Sequence, residues 1–138
     1  MNRKRVFTFA AMASSLALAF GMGIAIGQNA PTENKGVKVG QPTALDLGEE
    51  VDGVQGRQLR MRAVTLEPGG VVGMHSHKGR PAVAYVLQGT LTEHRDNGEV
   101  HERHQGESWT ETKEVTHWAA NNGAEPVVVL AVDVFKPN

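Results

Sequence analysis

Six histidines are the side chains with the most evident chemistry in this 138-residue chain, which contains no cysteine. Without cysteine there is no disulfide, no thiolate metal site and no cysteine nucleophile. Two of the histidines, His75 and His77, are separated by a single residue. In an extended strand, residues i and i+2 project to the same face, so both imidazoles point the same way. Two neutral imidazoles on one inner face supply half of a metal site.

A third histidine, His117, follows a predicted turn at Gly106-Glu107 and belongs to a later strand. Residues that are distant in the sequence become neighbours in a β-barrel. His117 can therefore complete a three-nitrogen face with His75 and His77. The alternative, which the His75-x-His77 pair by itself does not exclude, is that both histidines lie on a surface loop.

The elements that carry these residues are predicted to be short β-strands. From residue 58 onward, Leu59, Met61 and Ala63 follow the period of two that is typical of strands, and we expect Pro68-Gly69-Gly70 to end this strand. Asp96-Asn97-Gly98 predicts a two-residue hairpin turn. Short strands at spacings of roughly 8 to 12 residues, with no sustained helical periodicity after residue 27, indicate an all-β sandwich or barrel.

The first 27 residues differ from the rest of the chain. A cationic start, Arg3-Lys4-Arg5, precedes an uncharged stretch over 6–26 that is rich in Ala, Leu, Phe and Gly. This pattern predicts a secretory signal peptide over 1–27, cleaved before Gln28, and hence a periplasmic or secreted protein. The alternative is an uncleaved inner-membrane anchor, since a helix of that length spans about 30 Å. Contact with a membrane is expected only in that second case.

The remaining chain divides near residue 56. Residues 28–56 contain Pro31, Pro42 and five glycines, which predict a linker followed by one or two edge strands. Residues 57–138 are predicted to form the barrel. Strands over 37–47 are suited to pairing with a second copy of the chain, so we expect a homodimer.

The charge balance excludes one class of partner. The whole chain has 14 Lys and Arg against 15 Asp and Glu, and all the leader's charges are basic, so residues 28–138 have a net charge of −4. A mildly acidic domain lacks the basic surface that binds a phosphate backbone, and we expect no nucleic-acid partner. A small-molecule ligand or substrate is expected instead.

The histidines and glycines also form a pattern of their own. Its first part is Gly69, five residues, His75-x-His77 and a later Gly89; its second part is Gly106-Glu107, His117-x-x-x-Asn121 and Asn122-Gly123. Over residues 58–135 this pattern resembles the two motifs of the cupin superfamily. The resemblance implies a small antiparallel β-barrel of the jelly-roll type that holds one divalent metal, with His75, His77 and His117 as ligands.

One position departs from the family pattern, because Ala82 stands where the first motif usually carries a glutamate ligand. The site therefore resembles that of three-histidine cupins. A site without this carboxylate is more positive, which favours Fe(II), Zn, Cu or Ni and weakens the binding of Mn. Glu93 or Glu111 could supply a carboxylate from elsewhere, although a solvated strand position is the simpler interpretation of each.

Three further residues are candidates for contacts with a substrate or with the metal ligands. Arg80, beside the metal loop, either holds a carboxylate-bearing ligand through its planar fork or lies in solvent. His94 and Glu93 point to opposite faces of one strand, so one of them enters the cavity, and the sequence does not choose between them. Trp118 is expected to pack, or else to stack on a ligand next to His117.

Two functions fit these residues. A metal on three histidines can polarise a substrate oxygen, and the resemblance to three-histidine dioxygenases adds O₂ activation if the metal is iron or copper. We therefore expect an exported metal-dependent cupin that acts on a small organic molecule, either dioxygenase-like or isomerase/lyase-like. The alternative is a non-catalytic protein that binds or stores a metal or a ligand.

Overall fold

The computed structural model describes residues 29–137 of the chain. This part contains nine antiparallel strands and one turn of 3-10 helix, joined by loops. The strands are β1 (Lys35–Val39), β2 (Thr43–Asp46), β3 (Gln58–Ser76), β4 (Ala82–Gln88), β5 (Thr90–Arg95), β6 (Val100–His104), β7 (Ser108–Glu111), β8 (Thr116–Ala120) and β9 (Val127–Phe135), and the 3-10 turn is Leu47–Glu49. The order in the sheet is β6-β5-β8-β3-β9-β4-β7, with β1 and β2 also paired to β3. The two ends of this order, β6 and β7, are joined by residues 105–107 alone and must therefore lie close together. The sheet thus curls into a nearly closed barrel. The predicted all-β antiparallel barrel is confirmed.

The longest strand, β3, serves two parts of the barrel. Its first residues, up to Leu66, pair with β9, and its last residues, from Val71 onward, pair with β8. Between them Gly69 has φ +72°, a conformation that glycine adopts at little cost. The prediction that Pro68-Gly69-Gly70 ends the strand is wrong. These residues bend it instead, because β1 pairs with β3 on both sides of the bend.

The N-terminal strands lie where the sequence predicts edge strands. β1 pairs with β3 between Val64 and Val71, and β2 pairs with β3 between Gln58 and Met61. The predicted signal peptide or anchor over 1–27 lies outside the described residues, and the boundaries at 28–56 and 57–138 stay predictions. Within residues 29–137, no helix is both long enough and apolar enough to cross a bilayer.

The core is a thin layer of small and branched side chains inside the barrel. In β4, Ala84 and Val86 are buried, whereas Val83, Tyr85 and Leu87 point outward. The buried cluster consists of Leu66, Ala84, Val86, Leu91, Trp109, Ala119, Val127 and Val129. The predicted hairpin between β5 and β6 is present, but its loop has three residues, 96–98, instead of two, because Arg95 pairs with Glu99 and only Gly98 has a positive φ, +89°. Small inward side chains leave space at the centre of the barrel.

Candidate metal centre

Strands β3 and β8 bring three histidines together inside the barrel. His75 of β3 is paired directly with His117 of β8, and His77 follows the last residue of β3. The Nε2 atoms are 3.2 Å apart between His75 and His77, and 3.1 Å apart in the other two pairs. Both His77 and His117 are only 3% exposed. The three histidines that the sequence singled out thus converge on one buried point.

Each of the three rings is held from behind by an oxygen at its Nδ1 atom. The oxygens are the Gly73 carbonyl at 2.8 Å from His75, the Arg80 carbonyl at 3.2 Å from His77 and the Glu93 carboxylate at 3.1 Å from His117. Since such an oxygen only accepts, each Nδ1 donates a proton to it, and each ring turns its Nε2 atom toward the centre.

Two of these rings are neutral at pH 7. Burial lowers the pKa of His75 to about 4, although the hydrogen bond to the Gly73 carbonyl opposes this effect. Burial likewise lowers the pKa of His77 to about 4, and the neighbouring His117 adds to the shift. The Nε2 lone pairs of His75 and His77 therefore face each other at 3.2 Å with no proton between them, an arrangement that a cation would stabilise.

The donor set fits a divalent transition metal. Imidazole nitrogen is a good ligand for Zn, Cu, Fe and Ni. Two nitrogens bound to one metal at about 2.1 Å are roughly 3.0 to 3.4 Å apart, depending on whether the angle is octahedral or tetrahedral. The observed separations of 3.1 and 3.2 Å fall within this range. The cluster is therefore compatible with one metal ion, whose identity stays a prediction.

Glu93 is fully buried and anchors the third histidine. Its Oε1 accepts hydrogen bonds from His117 Nδ1 at 3.1 Å and from Arg95 at 3.0 Å, and its Oε2 accepts two from Arg103 at 2.7 and 3.1 Å. Burial alone would raise the pKa of Glu93, but the hydrogen bonds from His117, Arg103 and Arg95 outweigh it and hold the pKa well below its usual range. The interpretation of Glu93 as a solvated residue is wrong, and the ionised carboxylate fixes the orientation of the His117 ring.

Because Glu93 points inward, its neighbour His94 points away from the centre. His94 lies opposite Trp118 across β5 and β8, and the two rings stack with centroids 3.8 Å apart and planes 3° apart. Trp118 therefore packs on a histidine of the outer face and does not stack on a ligand in the cavity. Neither ring is among those that line the central cavity.

Glu111, at the end of β7, also points into the barrel and is 7% exposed. Its Oε2 is 3.1 Å from Nε2 of His77, and its Oε1 is 3.5 Å from Nε2 of His117. The indole N–H of Trp109 donates to Oε1 at 3.2 Å. The solvated interpretation of Glu111 is wrong as well, because β7 alternates and turns Trp109 and Glu111 inward.

The histidines open into a cavity of about 100 Å³. Its polar lining consists of the three histidines, Glu111 and Arg62, and the rest is formed by apolar residues such as Leu66 and Leu91. A second, outer cavity of about 290 Å³ shares His75 and Arg62 with the first and is also lined by Arg80. The cavity at the three histidines thus adjoins a second cavity that is lined by two arginines.

Sequence analysis missed two of the residues at this entrance, Arg62 and Asp133. The apolar alternation suggested that Met61 faces the core, but Met61 is 44% exposed and Arg62 points inward. A usable signal was present, because Val64 and Leu66 have the same parity as Arg62 and are large apolar residues.

Asp133 and three arginines form what we call the Asp133 cluster. Arg60 donates to Asp133 twice, at 2.8 and 3.0 Å, Arg62 donates once at 2.9 Å, and Arg80 lies 3.6 Å away. Burial would raise the pKa of Asp133, but the hydrogen bonds from Arg60 and Arg62 keep it below its usual range. Within residues 29–137, the Arg80 guanidinium has no hydrogen bond, and its side chain is 30% exposed. Arg80 thus lies at the mouth of the site with its donors available.

Comparisons with known proteins agree with this architecture. A family model described as "Cupin domain" matches residues 62–133, about half of the chain. Among curated protein sequences, none matches the chain.

Solved structures agree on the fold. The chain is 24% identical to an uncharacterized conserved protein with a double-stranded β-helix domain from Klebsiella pneumoniae, covering 54% of this chain and 65% of that one, with a TM-score of 0.51. It is 17% identical to the Cupin_2 domain of an XRE family transcriptional regulator from Enterobacter cloacae, covering 75% of this chain and 100% of that one, with a TM-score of 0.55. It is 20% identical to the polyketide cyclase RemF from Streptomyces resistomycificus, covering 75% and 68%, with a TM-score of 0.55.

The match to the Klebsiella protein is partial, because the chain spans less than two thirds of that protein's length. All three identities are below 25%, so the likeness concerns the fold, and it confirms the predicted jelly-roll barrel.

Proposed function

Because this chain belongs to the cupin family, we propose that its barrel holds one divalent transition metal on His75, His77 and His117 and acts on a small organic acid in the adjoining cavity. The observation that carries the proposal is the convergence of three Nε2 atoms, each on a ring whose Nδ1 is bound to an oxygen. Fe, Zn, Cu or Ni suits such imidazole donors. When bound, the metal polarises a substrate oxygen and lowers the pKa of bound water.

The residues around the three ligands have separate roles in this proposal. Glu93 is a positioning residue, since it acts on the site only through the His117 ring. The apolar lining excludes water from the inner cavity, which strengthens electrostatic interactions with a substrate held there. Arg62 and Arg80 lie along the entrance and are available to bind the acid group.

The charge of the entrance supports an acidic substrate. The Asp133 cluster has three guanidinium groups and one carboxylate, which leaves a net charge of +2. A guanidinium binds a carboxylate through two parallel hydrogen bonds, and Arg80 has its donors available for this contact. A small carboxylic acid is therefore the class of substrate that the entrance fits best.

The reaction depends on the metal. Iron or copper would support dioxygenase-like chemistry, and a metal without redox chemistry would support isomerase- or lyase-like chemistry. The polyketide cyclase among the similar structures is consistent with an enzyme but does not identify the reaction.

A second function is favoured by the size of the inner cavity. Its volume of about 100 Å³ is small. Ligand pockets usually measure roughly 300 to 1,000 Å³. A barrel that binds or stores a metal without catalysis would need no more space than this.

Metal analysis tests the proposal directly. We expect the full-length protein to be purified with about one divalent ion per chain. A His75→Ala/His117→Ala double variant should lose nearly all of it. His101→Ala, which removes a partly exposed histidine of β6, is the matched control and should bind metal like the wild type. Equal metal content in the wild type and the double variant would contradict the proposal.

Activity separates the enzyme from the storage protein. The metal-loaded protein is incubated with a panel of small organic acids while O₂ uptake and product formation are recorded. Turnover of any member eliminates the storage function. The absence of turnover across the panel, with metal bound, favours storage.

Location and assembly are parts of the proposal that stand on the sequence. We propose that the protein is exported, as a periplasmic or secreted protein or as an anchored one if the leader is retained. Mass spectrometry of the mature N-terminus distinguishes these cases.

We also propose a homodimer through residues 37–47. It is supported by the exposure of Val39 (57%) and Leu45 (46%) on strands that, within residues 29–137, pair only with β3. Light scattering of the purified protein tests it.

A further inference from the structure

We propose that Glu111 is a fourth protein ligand of the same metal, supplied by β7 in place of the carboxylate that position 82 of β4 lacks. The inference rests on the proposed metal site and adds a ligand to it. The sequence left open whether Glu93 or Glu111 supplies a carboxylate to the three histidines, and the inference chooses Glu111.

The register of the sheet explains how the two positions are related. Ala82 and Glu111 are directly opposite each other in the antiparallel pair of β4 and β7. Opposite residues of such a pair project to the same face, with Cβ atoms about 4.5 to 5.5 Å apart. The methyl group of Ala82 leaves space on the inner face, and the side chain of Glu111 reaches the centre from the neighbouring strand.

Glu111 reaches the point on which the histidines converge. Its Oε2 lies 3.1 Å from Nε2 of His77, and its Oε1 lies 3.5 Å from Nε2 of His117. These are the nitrogen atoms that the two rings turn toward the centre, since the Nδ1 atom of each ring contacts an oxygen behind it. A metal ion held by these nitrogens would therefore lie beside the carboxylate of Glu111.

The orientation of the carboxylate is set by a neighbour on the same strand. The indole N–H of Trp109 donates to Oε1 of Glu111 at 3.2 Å, and Trp109 itself is buried. This hydrogen bond leaves Oε2, the oxygen closer to His77, free of a protein donor within the described residues. Hydrogen bonding of a ligating carboxylate by an outer residue is a common feature of metal sites.

A fourth ligand changes the chemistry of the site. The carboxylate lowers the charge of a site holding a divalent ion from +2 to +1 and adds a hard oxygen donor, which suits Mn²⁺ and Fe²⁺. The reason for ranking Mn below Fe, Zn, Cu and Ni then no longer applies.

The test compares metal binding in the full-length wild type, Glu111→Gln and Glu114→Gln. The last variant is the matched control, because the Glu114 side chain is 79% exposed. We expect Glu111→Gln to weaken Mn²⁺ binding by at least about 100-fold and to change the visible spectrum of the Co²⁺-loaded protein. Glu114→Gln should change neither. Wild-type Mn²⁺ affinity together with an unchanged Co²⁺ spectrum in Glu111→Gln would overturn the inference.

A strand swap distinguishes a ligand from a positioning residue. In the variant Ala82→Glu/Glu111→Ala, the carboxylate returns to β4, and we expect Mn²⁺ affinity at least about tenfold above that of Glu111→Ala alone. Failure of the swap to raise the affinity counts against a ligand role. If the wild type binds metal through its histidines while Glu111→Gln behaves like the wild type, only this inference fails. If the wild type binds no metal, the proposed function itself fails.

Discussion

Two buried carboxylates, Glu93 and Asp133, are each held by arginines, yet they affect the site in different ways. Glu93 with Arg95 and Arg103 forms what we call the Glu93 cluster, and its carboxylate also accepts a hydrogen bond from the ligand candidate His117. Within residues 29–137, the hydrogen bonds and ion pairs of the Asp133 carboxylate are all with arginines, two of which line the entrance. The first cluster supports a ligand from behind, and the second lies in front of the site.

The comparison of the two clusters shows that the burial of an ion pair does not by itself reveal its role. Removing one partner from either cluster leaves unpaired charge in a poorly hydrated place, so such a substitution destabilises the fold. Only the Glu93 cluster is connected to a ring that points at the metal site. Only the Asp133 cluster carries excess positive charge toward the cavity. Substitutions in each cluster test these two roles separately.

The largest expected effect is on stability. Asp133→Ala leaves three guanidinium groups without their buried partner, and we expect the free energy of unfolding to fall by about 3 to 5 kcal/mol. Urea denaturation measures it. Asp52→Ala, at an exposed position, is the control and should change the value by less than about 0.5 kcal/mol. A loss below about 1 kcal/mol in Asp133→Ala would show that the arginines rehydrate easily.

The next effect concerns metal affinity and divides the two clusters. Glu93→Gln removes the charge that holds the His117 ring, and we expect metal affinity to fall by about 10- to 100-fold. Asp133→Asn touches no ligand ring and should change the affinity by less than about threefold. Competition with a chromophoric chelator measures both. Equal losses in the two variants would contradict the separation of roles.

Within the Asp133 cluster, the arginines themselves should differ. Arg60 makes two hydrogen bonds to Asp133 and lies 3.8 Å over the Phe135 ring, so Arg60→Ala should destabilise the fold by about 2 kcal/mol. Arg80→Ala removes a more distant pair and should cost less than about 1 kcal/mol.

Calorimetric titration with acetate should show binding to the metal-loaded wild type and about tenfold weaker binding to Arg80→Ala. Unchanged acetate binding would remove Arg80 from the proposed entrance.

The smallest effect is a dependence on pH. The hydrogen bonds from Arg60 and Arg62 hold the pKa of Asp133 in the folded protein below its usual value of 3.8. A carboxyl group with a depressed folded pKa contributes stability above its unfolded pKa, and this stability is lost as the pH falls through the folded pKa. The difference in unfolding free energy between the wild type and Asp133→Asn should therefore be constant above about pH 5 and shrink below about pH 4. Denaturation at a series of pH values checks this, and a difference that does not change between pH 5 and pH 2 would contradict it.

Much of the fold was predictable from local patterns. Turn residues such as Asp96-Asn97-Gly98 place a hairpin correctly, because the turn is decided within a few residues. At Pro68-Gly69-Gly70 the same local rules predicted an end where the strand bends. Pairing with β1 on both sides of the bend maintains the strand, and that pairing is not visible in the local sequence.

The candidate site was predictable for the histidines and not for the carboxylates. His75 and His77 share a face whatever the surrounding structure, since they are two residues apart on an extended chain. Glu93 and His94 also lie on opposite faces by the same rule. Which of them faces inward depends on how β5 packs against β8, where Glu93 lies opposite Ala119.

By itself, the sequence determined the order of the strands along the chain, the histidine positions and their resemblance to the motifs of one family. The tertiary structure decided which face of each strand is buried, and so it placed Glu93, Glu111, Arg62 and Asp133 inside the barrel. The physical reason is that alternation fixes relative orientation within a strand, whereas the choice of face and the register with neighbours come from packing between strands. The pairing of Ala82 with Glu111, on which the fourth ligand depends, is a property of that register.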